Sequence, residues 1–417
     1  MKHLQKILGI TLALVCVEVQ AEEFAYKHET GDKYRILSTV REDVFVNRRF
    51  SHRSEILNRI AVEVRSVTNG VGSHGAVFQT AERGVAPPQT ASQPRQPAAQ
   101  QGPEHFPGNF QWAKEYESEF DRDRLGYVQI DKKYYMPVVR NVPVFPNRDL
   151  KPGDTWSAEG HEMHDFRASF GITEPYRIPF TANYTFLGNR EWQGKEYPAF
   201  SVSYRIFSEP EASSGTMYPT RITGESDQIV YWNPALGQPA AYQEYFRMIF
   251  ELSNGMTMEF RGDADAEILE SESMDKPKIT EDILEDINRL DIPDISVRQS
   301  DEGIVISLED IQFQADSANL MPGEQDKLNK IAEILLRYKD RDIMVGGHTA
   351  LAGTAEGRQQ LSEERASSVA EYLIKKAVRP ADRVVIQGYG AERPVADNST
   401  PEGRRRNRRV EITILEN

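Results

Sequence analysis

The stretch Gly346-Gly347-His348-Thr349-Ala350-Leu351-Ala352-Gly353 decides the fold of the end of this chain. It has the pattern of a buried strand that runs into a tight loop bounded by glycines. The segment Leu361-Ser362-Glu363-Glu364-Arg365-Ala366 follows it and has the pattern of the first turns of a helix. A loop at a strand end that faces an arginine on a helix is suited to holding a carboxylate, because a guanidinium donates two parallel hydrogen bonds. The two segments are therefore the candidate site.

Strands and helices alternate on both sides of this site. Residues 304–308, 342–346, 383–387 and 409–414 have strand composition, and residues 356–376 have the apolar spacing of a helix. A second helix is predicted after Pro322 and Gly323, from apolar residues at helical spacing: Leu328, Ile331, Ala332 and Leu335. The pattern predicts an α/β sandwich, with two helices packed on one mixed sheet.

An ordered set of motifs runs through residues 303–417 and resembles the OmpA-like C-terminal domain, the peptidoglycan-associated module of bacterial envelope proteins. The first two thirds of the chain show no such resemblance. The matching residues are Phe313 with Asp316-Ser317 and Leu320; Gly347-His348-Thr349 with Gly353; Leu361-Ser362 with Arg365-Ala366; Gly388-Tyr389-Gly390 with Pro394; Asn398; and Gly403-Arg404 with Asn407-Arg408-Arg409-Val410-Glu411-Ile412.

The resemblance implies that this domain clasps the diamino acid of the peptidoglycan stem peptide. In the family an Asp usually follows His-Thr and acts with the Arg of the Leu-Ser-x-x-Arg-Ala motif. Here Arg365 matches that Arg, Ala350 stands in place of the Asp, and Arg358 stands where the family usually has Asn. The peptidoglycan-binding positions implied by the resemblance are His348, Thr349, Ala350, Arg358, Arg365 and Arg409.

The substitution at Ala350 removes the anionic half of the implied clamp. A zwitterionic amino-acid terminus needs an anion for its ammonium and a cation for its carboxylate. Losing the partner of a desolvated ammonium costs on the order of 2–5 kcal/mol, a factor of tens to thousands in affinity. Glu356 or Asp316 could supply a substitute carboxylate. Two outcomes stay open: a retained fold whose site no longer binds, with Arg365 as a scaffold residue, or weakened or altered binding helped by high local concentration.

The N-terminus predicts export. Lys2 and Lys6 precede an apolar run at residues 7–17, and Val19-Gln20-Ala21 supplies small residues for cleavage before Glu22. The alternative is lipidation at Cys16, the single cysteine. No later segment is long and apolar enough to form a transmembrane helix. We expect a periplasmic protein associated with the outer membrane or cell wall.

Residues 22–272 are predicted to be β-rich, as a soluble sandwich or an open bent sheet, in one or two subdomains. Asn69-Gly70 and Asn254-Gly255 predict hairpin turns. A Pro/Gln-rich stretch at residues 86–108 predicts a disordered loop, and residues 273–302 predict a helical connector with its helix at 278–290. The fold class is thus α+β multidomain, with the OmpA-like α/β sandwich at the end.

No catalytic motif and no cofactor site is readable in the chain. The histidines of His161-Glu162-Met163-His164 are one residue too close for a His-Glu-x-x-His zinc motif, which favours surface polar residues over a metal site. A net charge of −14 and the predicted export argue against nucleic acid, so the run at residues 404–409 is interpreted as scaffold or glycan contact.

The sequence therefore predicts a non-enzymatic envelope protein whose partners are peptidoglycan, if the clamp still holds it, and other envelope proteins. Its role would be mainly structural. The alternative is a periplasmic carrier or binding module that uses the β-rich region for a lipid or a peptide.

Overall fold

The computed structural model describes residues 22–85, 110–211, 217–270, 274–300, 302–309, 311, 313 and 320–416. The predicted signal peptide, Cys16, the predicted loop at residues 86–108 and Asp316 lie outside the described residues. The protein is β-rich, as predicted, with 52% strand and 18% helix.

Within the described residues, twelve antiparallel strands form what we call the N-terminal sheet. Its spatial order is β5-β4-β3-β2-β1-β12-β11-β10-β9-β8-β7-β6, so two meanders meet where β1 pairs with β12. A four-residue helix, α1 (Arg167–Phe170), lies between β7 and β8. The strands are β1 (Lys33–Val46), β2 (Arg49–Thr68), β3 (Val71–Val85), β4 (Phe110–Arg122), β5 (Val128–Ile130), β6 (Val139–Arg140), β7 (Thr155–His164), β8 (Tyr176–Trp192), β9 (Lys195–Ser208), β10 (Pro219–Asn233), β11 (Gln238–Leu252) and β12 (Thr257–Glu270).

Both predicted hairpin turns are present in this sheet. Asn69 and Gly70 have φ angles of 53° and 77°, the left-handed pair that a two-residue hairpin between β2 and β3 requires. Asn254 and Gly255 turn the chain between β11 and β12, where Glu251 pairs with Thr257. These turns fix the register, and the register decides which side chains face the interior of the sheet.

Five strands and four helices make up the described part of the chain's end. The strand order is β13-β14-β17-β15-β16, with β15 and β16 parallel and the other pairs antiparallel, a mixed sheet as predicted. We call it the C-terminal sheet. The elements are α2 (Lys276–Arg289), β13 (Ile295–Gln299), β14 (Gly303–Glu309), α3 (Pro322–Leu336), β15 (Ile343–Gly347), α4 (Ala355–Lys375), β16 (Val384–Gly388), α5 (Pro401–Asn407) and β17 (Arg409–Leu415).

One apolar core lies between this sheet and its helices. The four residues that predict α3 from their spacing are all buried in it. Ile283 and Ile287 of α2 belong to the same core, and β13 pairs along β14. The region predicted to be a connector thus contributes a helix and an edge strand to the C-terminal layers. No helix among the described residues combines the length and the apolar character needed to cross a membrane.

The two sheets are joined by a short strand pairing. Phe110 and Gln111 of β4 pair in parallel with Val385 and Ile386 of β16. Beside this pairing, Asp342 is buried and accepts a 2.8 Å hydrogen bond from Arg59 of β2. Its other oxygen accepts a 2.6 Å bond from Arg383. A single carboxylate therefore joins arginines from both parts of the chain.

Candidate functional site

The candidate site forms where β15 ends against α4. A Cβ on Gly347 would lie 1.9 Å from the carbonyl oxygen of Ser362, so only glycine allows this strand and helix to approach so closely. Thr354 caps α4, and its side chain accepts a 3.1 Å hydrogen bond from the Gly357 N–H. The loop between Gly347 and Thr354 is therefore fixed at both ends.

Backbone hydrogen bonds hold the loop in place. His348 N–H donates to the Arg409 carbonyl at 3.0 Å, and Thr349 N–H donates to the Gly390 carbonyl at 2.8 Å. Gly390 N–H in turn donates to Ser362 Oγ at 2.9 Å, which ties the neighbouring strand-end loop to α4. Ala350 follows directly and is 7% exposed. Its methyl group thus sits in a rigid, nearly closed position.

Arg365 lies one turn beyond Ser362 on α4 and is half-buried. Its guanidinium stands 5.0 Å from the ring centre of Phe313, and its Nε is buried without a hydrogen-bond partner. No described carboxylate forms an ion pair with it. Burial, and then nearby Arg408, lower the pKa of Arg365, yet a guanidinium keeps its charge at neutral pH. Within the described residues, Arg365 is therefore a partly desolvated cation with an unused donor at Nε.

Arg358 adds a second cation two turns earlier on the same helix. Its Nη1 donates to the Gly353 carbonyl at 2.7 Å, while its Nε is buried and has no partner. Glu356, which the sequence offered as a substitute carboxylate, is exposed in the first turn of α4. In the described part of the chain it makes no ion pair with Arg358 or Arg365. Glu356 is therefore an exposed carboxylate that neither of these arginines neutralises within the described residues.

His348 and Arg409 lie behind the loop. The His348 ring is 2% exposed and stacks on Tyr389 at 4.9 Å, and burial lowers the pKa of His348. Arg409 is also buried and donates to Glu411 Oε1 at 2.8 Å. Burial alone would raise the pKa of Glu411, but His348 and Arg409 lower it to about 2. The side chain of Arg409 is thus hydrogen-bonded to Glu411, and its backbone carbonyl binds the His348 N–H, so Arg409 supports the loop.

We expect Glu411→Gln to lower the free energy of unfolding at pH 7 and to lower it less at acidic pH. A pKa held at about 2 instead of 4.5 corresponds to roughly 3 kcal/mol of stability. That stability is present above the unfolded pKa of 4.5 and is lost as the pH falls toward 2. Urea unfolding at pH 7 and pH 3 measures it, with exposed Glu392→Gln as the control. An equal difference from wild type at both pH values would contradict this electrostatic account.

The basic run at residues 404–409 forms α5 and the start of β17. Arg404 donates to the carbonyls of Asn398 and Ser399, each at 2.9 Å, and Arg406 pairs with Glu309 at 3.3 Å. Asn398 also accepts the Leu351 N–H at 3.1 Å, so Arg404 supports the loop indirectly. These internal contacts favour the scaffold interpretation of the run.

The His161–His164 cluster differs from its prediction as surface residues. Glu162 is buried, where it accepts one hydrogen bond from the Tyr204 hydroxyl at 2.9 Å and pairs with His164 Nε2 at 2.8 Å. Strand alternation places Glu162 on the inner face of β7, and a buried carboxylate needs partners there. Among the described residues, no group of three metal-ligating side chains comes together.

Comparison with known proteins identifies the type of domain at the C-terminal end of the chain. Residues 312–408 match the OmpA family. The C-terminal region is an OmpA-like domain. The resemblance in the sequence is thereby confirmed, and the match covers both β15 with its loop and α4.

Two curated relatives align with the OmpA-like domain. The probable lipoprotein YiaD of Escherichia coli is 38% identical over 29% of this chain and 55% of its own length. The peptidoglycan-binding protein ArfA of Mycobacterium bovis is 38% identical over 25% of this chain and 32% of its own. The chain thus spans about half of the first relative and a third of the second. The cell wall anchor of the type VI secretion system of Pseudomonas aeruginosa is 30% identical over 34% of this chain and 99% of that one, with a TM-score of 0.29.

Proposed function

We propose that this protein is a non-enzymatic component of the bacterial cell envelope whose OmpA-like domain associates with peptidoglycan through half of a two-charge clamp. Arg365 holds the carboxylate of the stem peptide's diamino acid. Ala350 has no carboxylate to pair with the ammonium of the diamino acid. The affinity for peptidoglycan is therefore lower than that of a domain with both charges. The protein acts in the periplasm after export, and its role is mainly structural.

The observation that supports this proposal most directly is that the guanidinium of Arg365 is half-buried and forms no ion pair with a described carboxylate. Within the described residues this guanidinium keeps its Nε donor available, and a ligand carboxylate would satisfy that donor. Arg409 of the same domain differs from Arg365 because it forms an ion pair with a described carboxylate, that of Glu411. The name of the mycobacterial relative, a peptidoglycan-binding protein, supports the same ligand class for this chain.

We expect Arg365→Ala to abolish most of the retention of the mature protein on purified sacculi at low salt. A charge-assisted hydrogen bond contributes about 1.5–3 kcal/mol, so retention should fall roughly tenfold or more. Co-sedimentation at low ionic strength measures the bound fraction. Added salt should lower wild-type retention, because the contact is ionic.

Lys375→Ala is the matched control, since it removes one positive charge from the exposed end of the same helix. It should leave retention unchanged. Equal retention of wild type and Arg365→Ala would overturn the proposal, as would equal losses in the two variants, which would point to unspecific attraction. Thermal unfolding of each variant separates lost binding from lost folding.

A further inference from the structure

A cavity of about 800 Å³ lies inside the N-terminal sheet, far along the chain from the OmpA-like domain. The two meanders and the segment at residues 136–143 enclose it. This volume lies within the range of about 300–1,000 Å³ that is typical of small-molecule sites. Apolar side chains from both meanders line most of the wall, among them Ile36, Ile60, Phe78, Val139, Val230 and Ile268.

Arg122, at the end of β4, is a cation in the wall of this cavity. Its guanidinium lies 4.9 Å from the Tyr26 ring centre and 5.3 Å from that of Phe120. Its Nε is buried without a hydrogen-bond partner, and it forms no ion pair with any carboxylate of the described residues. Removing a guanidinium from water without a counter-charge is costly, and a bound anion offsets that cost.

The lining also contains two lysines, a histidine and the carboxylates Glu29 and Asp32, and Asp32 accepts a 3.1 Å hydrogen bond from the Glu29 N–H. Lys27 donates to the Pro234 carbonyl at 2.8 Å, and Lys33 pairs with Glu63 at 3.6 Å. Burial, and then Arg122 itself, lower the pKa of His28, so this ring is neutral beside Arg122. Among these described cations of the lining, Arg122 is therefore the one with a buried donor that has no hydrogen-bond partner.

Glu244 lies in a different part of the lining and is already satisfied. Its Oε1 accepts hydrogen bonds from Ser226 at 2.6 Å and from Gln228 at 3.2 Å, and burial raises the pKa of Glu244. Glu244 lies level with Val40 on β1 through the pairing of β11, β12 and β1, while Arg122 lies beside Tyr34. Six residues along a strand span roughly 20 Å, so the cavity is long as well as apolar.

A long, largely apolar cavity with an unused guanidinium donor at one end suits a single-chain amphiphile better than a peptide. One leaflet of a bilayer is roughly 15 Å thick in its hydrocarbon part, so an acyl chain fits the available length. A peptide bound as an added strand needs a free sheet edge. The lining strands β1, β2, β10 and β11 are each paired on both sides, and the edge strand β6, which contributes Val139, is only two residues long.

We propose that this cavity binds one single-chain lipid with an anionic headgroup, with the headgroup on Arg122 and the acyl chain along the apolar wall. This site is independent of the wall contact. It gives the envelope protein a second ligand, of the chemical class of a fatty acid or an alkyl phosphate.

Three probes with the same twelve-carbon tail test the proposal on the full mature chain: laurate, dodecyl phosphate and dodecyltrimethylammonium. Isothermal titration below the micelle concentration should show saturable binding of at least one anionic probe. The cationic probe should bind at least roughly tenfold more weakly. The difference between laurate and the phosphate identifies the preferred headgroup.

Arg122→Gln should weaken the binding of the anionic probe roughly tenfold or more without lowering the melting temperature, because it removes a desolvated charge that has no carboxylate partner among the described residues. Arg124→Gln, which alters an exposed arginine paired with Glu23, should bind like wild type. The proposal is overturned if neither anionic probe binds, if Arg122→Gln binds normally, or if all three probes bind wild type alike. The comparison of the three probes on the wild-type protein tests the proposal even if Arg122→Gln does not fold.

Discussion

Ala350→Asp should raise the affinity of the protein for peptidoglycan by a factor of tens to thousands. The new carboxylate would face the ammonium of the diamino acid, and pairing a desolvated charge contributes on the order of 2–5 kcal/mol. The position favours a large effect, because Ala350 is 7% exposed and its loop is fixed by backbone hydrogen bonds. A pre-positioned group loses little entropy on binding. Titration with a soluble stem-peptide fragment measures the change.

Leu351→Asp is the matched control for this gain. It adds the same charge one residue further along the loop, where the side chain is 60% exposed and directed to solvent. We expect little change in affinity, because an exposed charge is screened by water and salt. If Ala350→Asp binds no better than wild type, the anionic position is already filled by another carboxylate or the site does not hold an ammonium.

Asp342→Asn should destabilise the protein by roughly 3–5 kcal/mol, the usual effect of removing one partner from a buried ion pair. Asp342 is 2% exposed and accepts hydrogen bonds from Arg59 and Arg383. The amide removes the negative charge and leaves both guanidiniums without a counter-ion. Because Arg59 belongs to the N-terminal sheet and Arg383 precedes β16, the variant should also loosen the contact between the two sheets.

Urea unfolding followed by tryptophan fluorescence and by far-UV circular dichroism measures this effect. Asp340→Asn is the control, since it removes an exposed carboxylate two residues away. We expect the control to stay within about 0.5 kcal/mol of wild type. A loss below about 1 kcal/mol for Asp342→Asn would show that the two arginines find other partners and that the ion pair does not hold the sheets together.

Local patterns predicted the elements around the candidate site. The spacing of Leu328 and Leu335 predicted α3, and Asn69-Gly70 predicted the β2–β3 turn, because both signals act within a few residues. The pattern of a glycine-bounded loop followed by an arginine-bearing helix indicated Arg365, whereas only the motif resemblance showed that Ala350 stands where the family has an Asp. The structure adds that Arg365 has no internal carboxylate among the described residues, which no sequence pattern expresses.

Contacts between distant residues could not be predicted. Arg59 and Asp342 are 283 residues apart, and nothing in either local sequence indicates the other. Arg122 ends an ordinary strand, so its place in a cavity wall depends on how the whole sheet curves. The burial of Glu162 was missed for the same reason, since its partner Tyr204 lies two strands away. The tertiary arrangement decides these positions.

The central claim is that the clamp keeps its cation and lacks its anion. The most direct test compares the affinity of wild-type protein for a soluble stem-peptide fragment before and after acetylation of the diamino acid's free ammonium. Our account predicts that acetylation changes the wild-type Kd by less than about threefold, whereas it weakens Ala350→Asp roughly tenfold or more. A loss of about tenfold or more in the wild-type protein would contradict the account, because the ammonium would then already have an anionic partner.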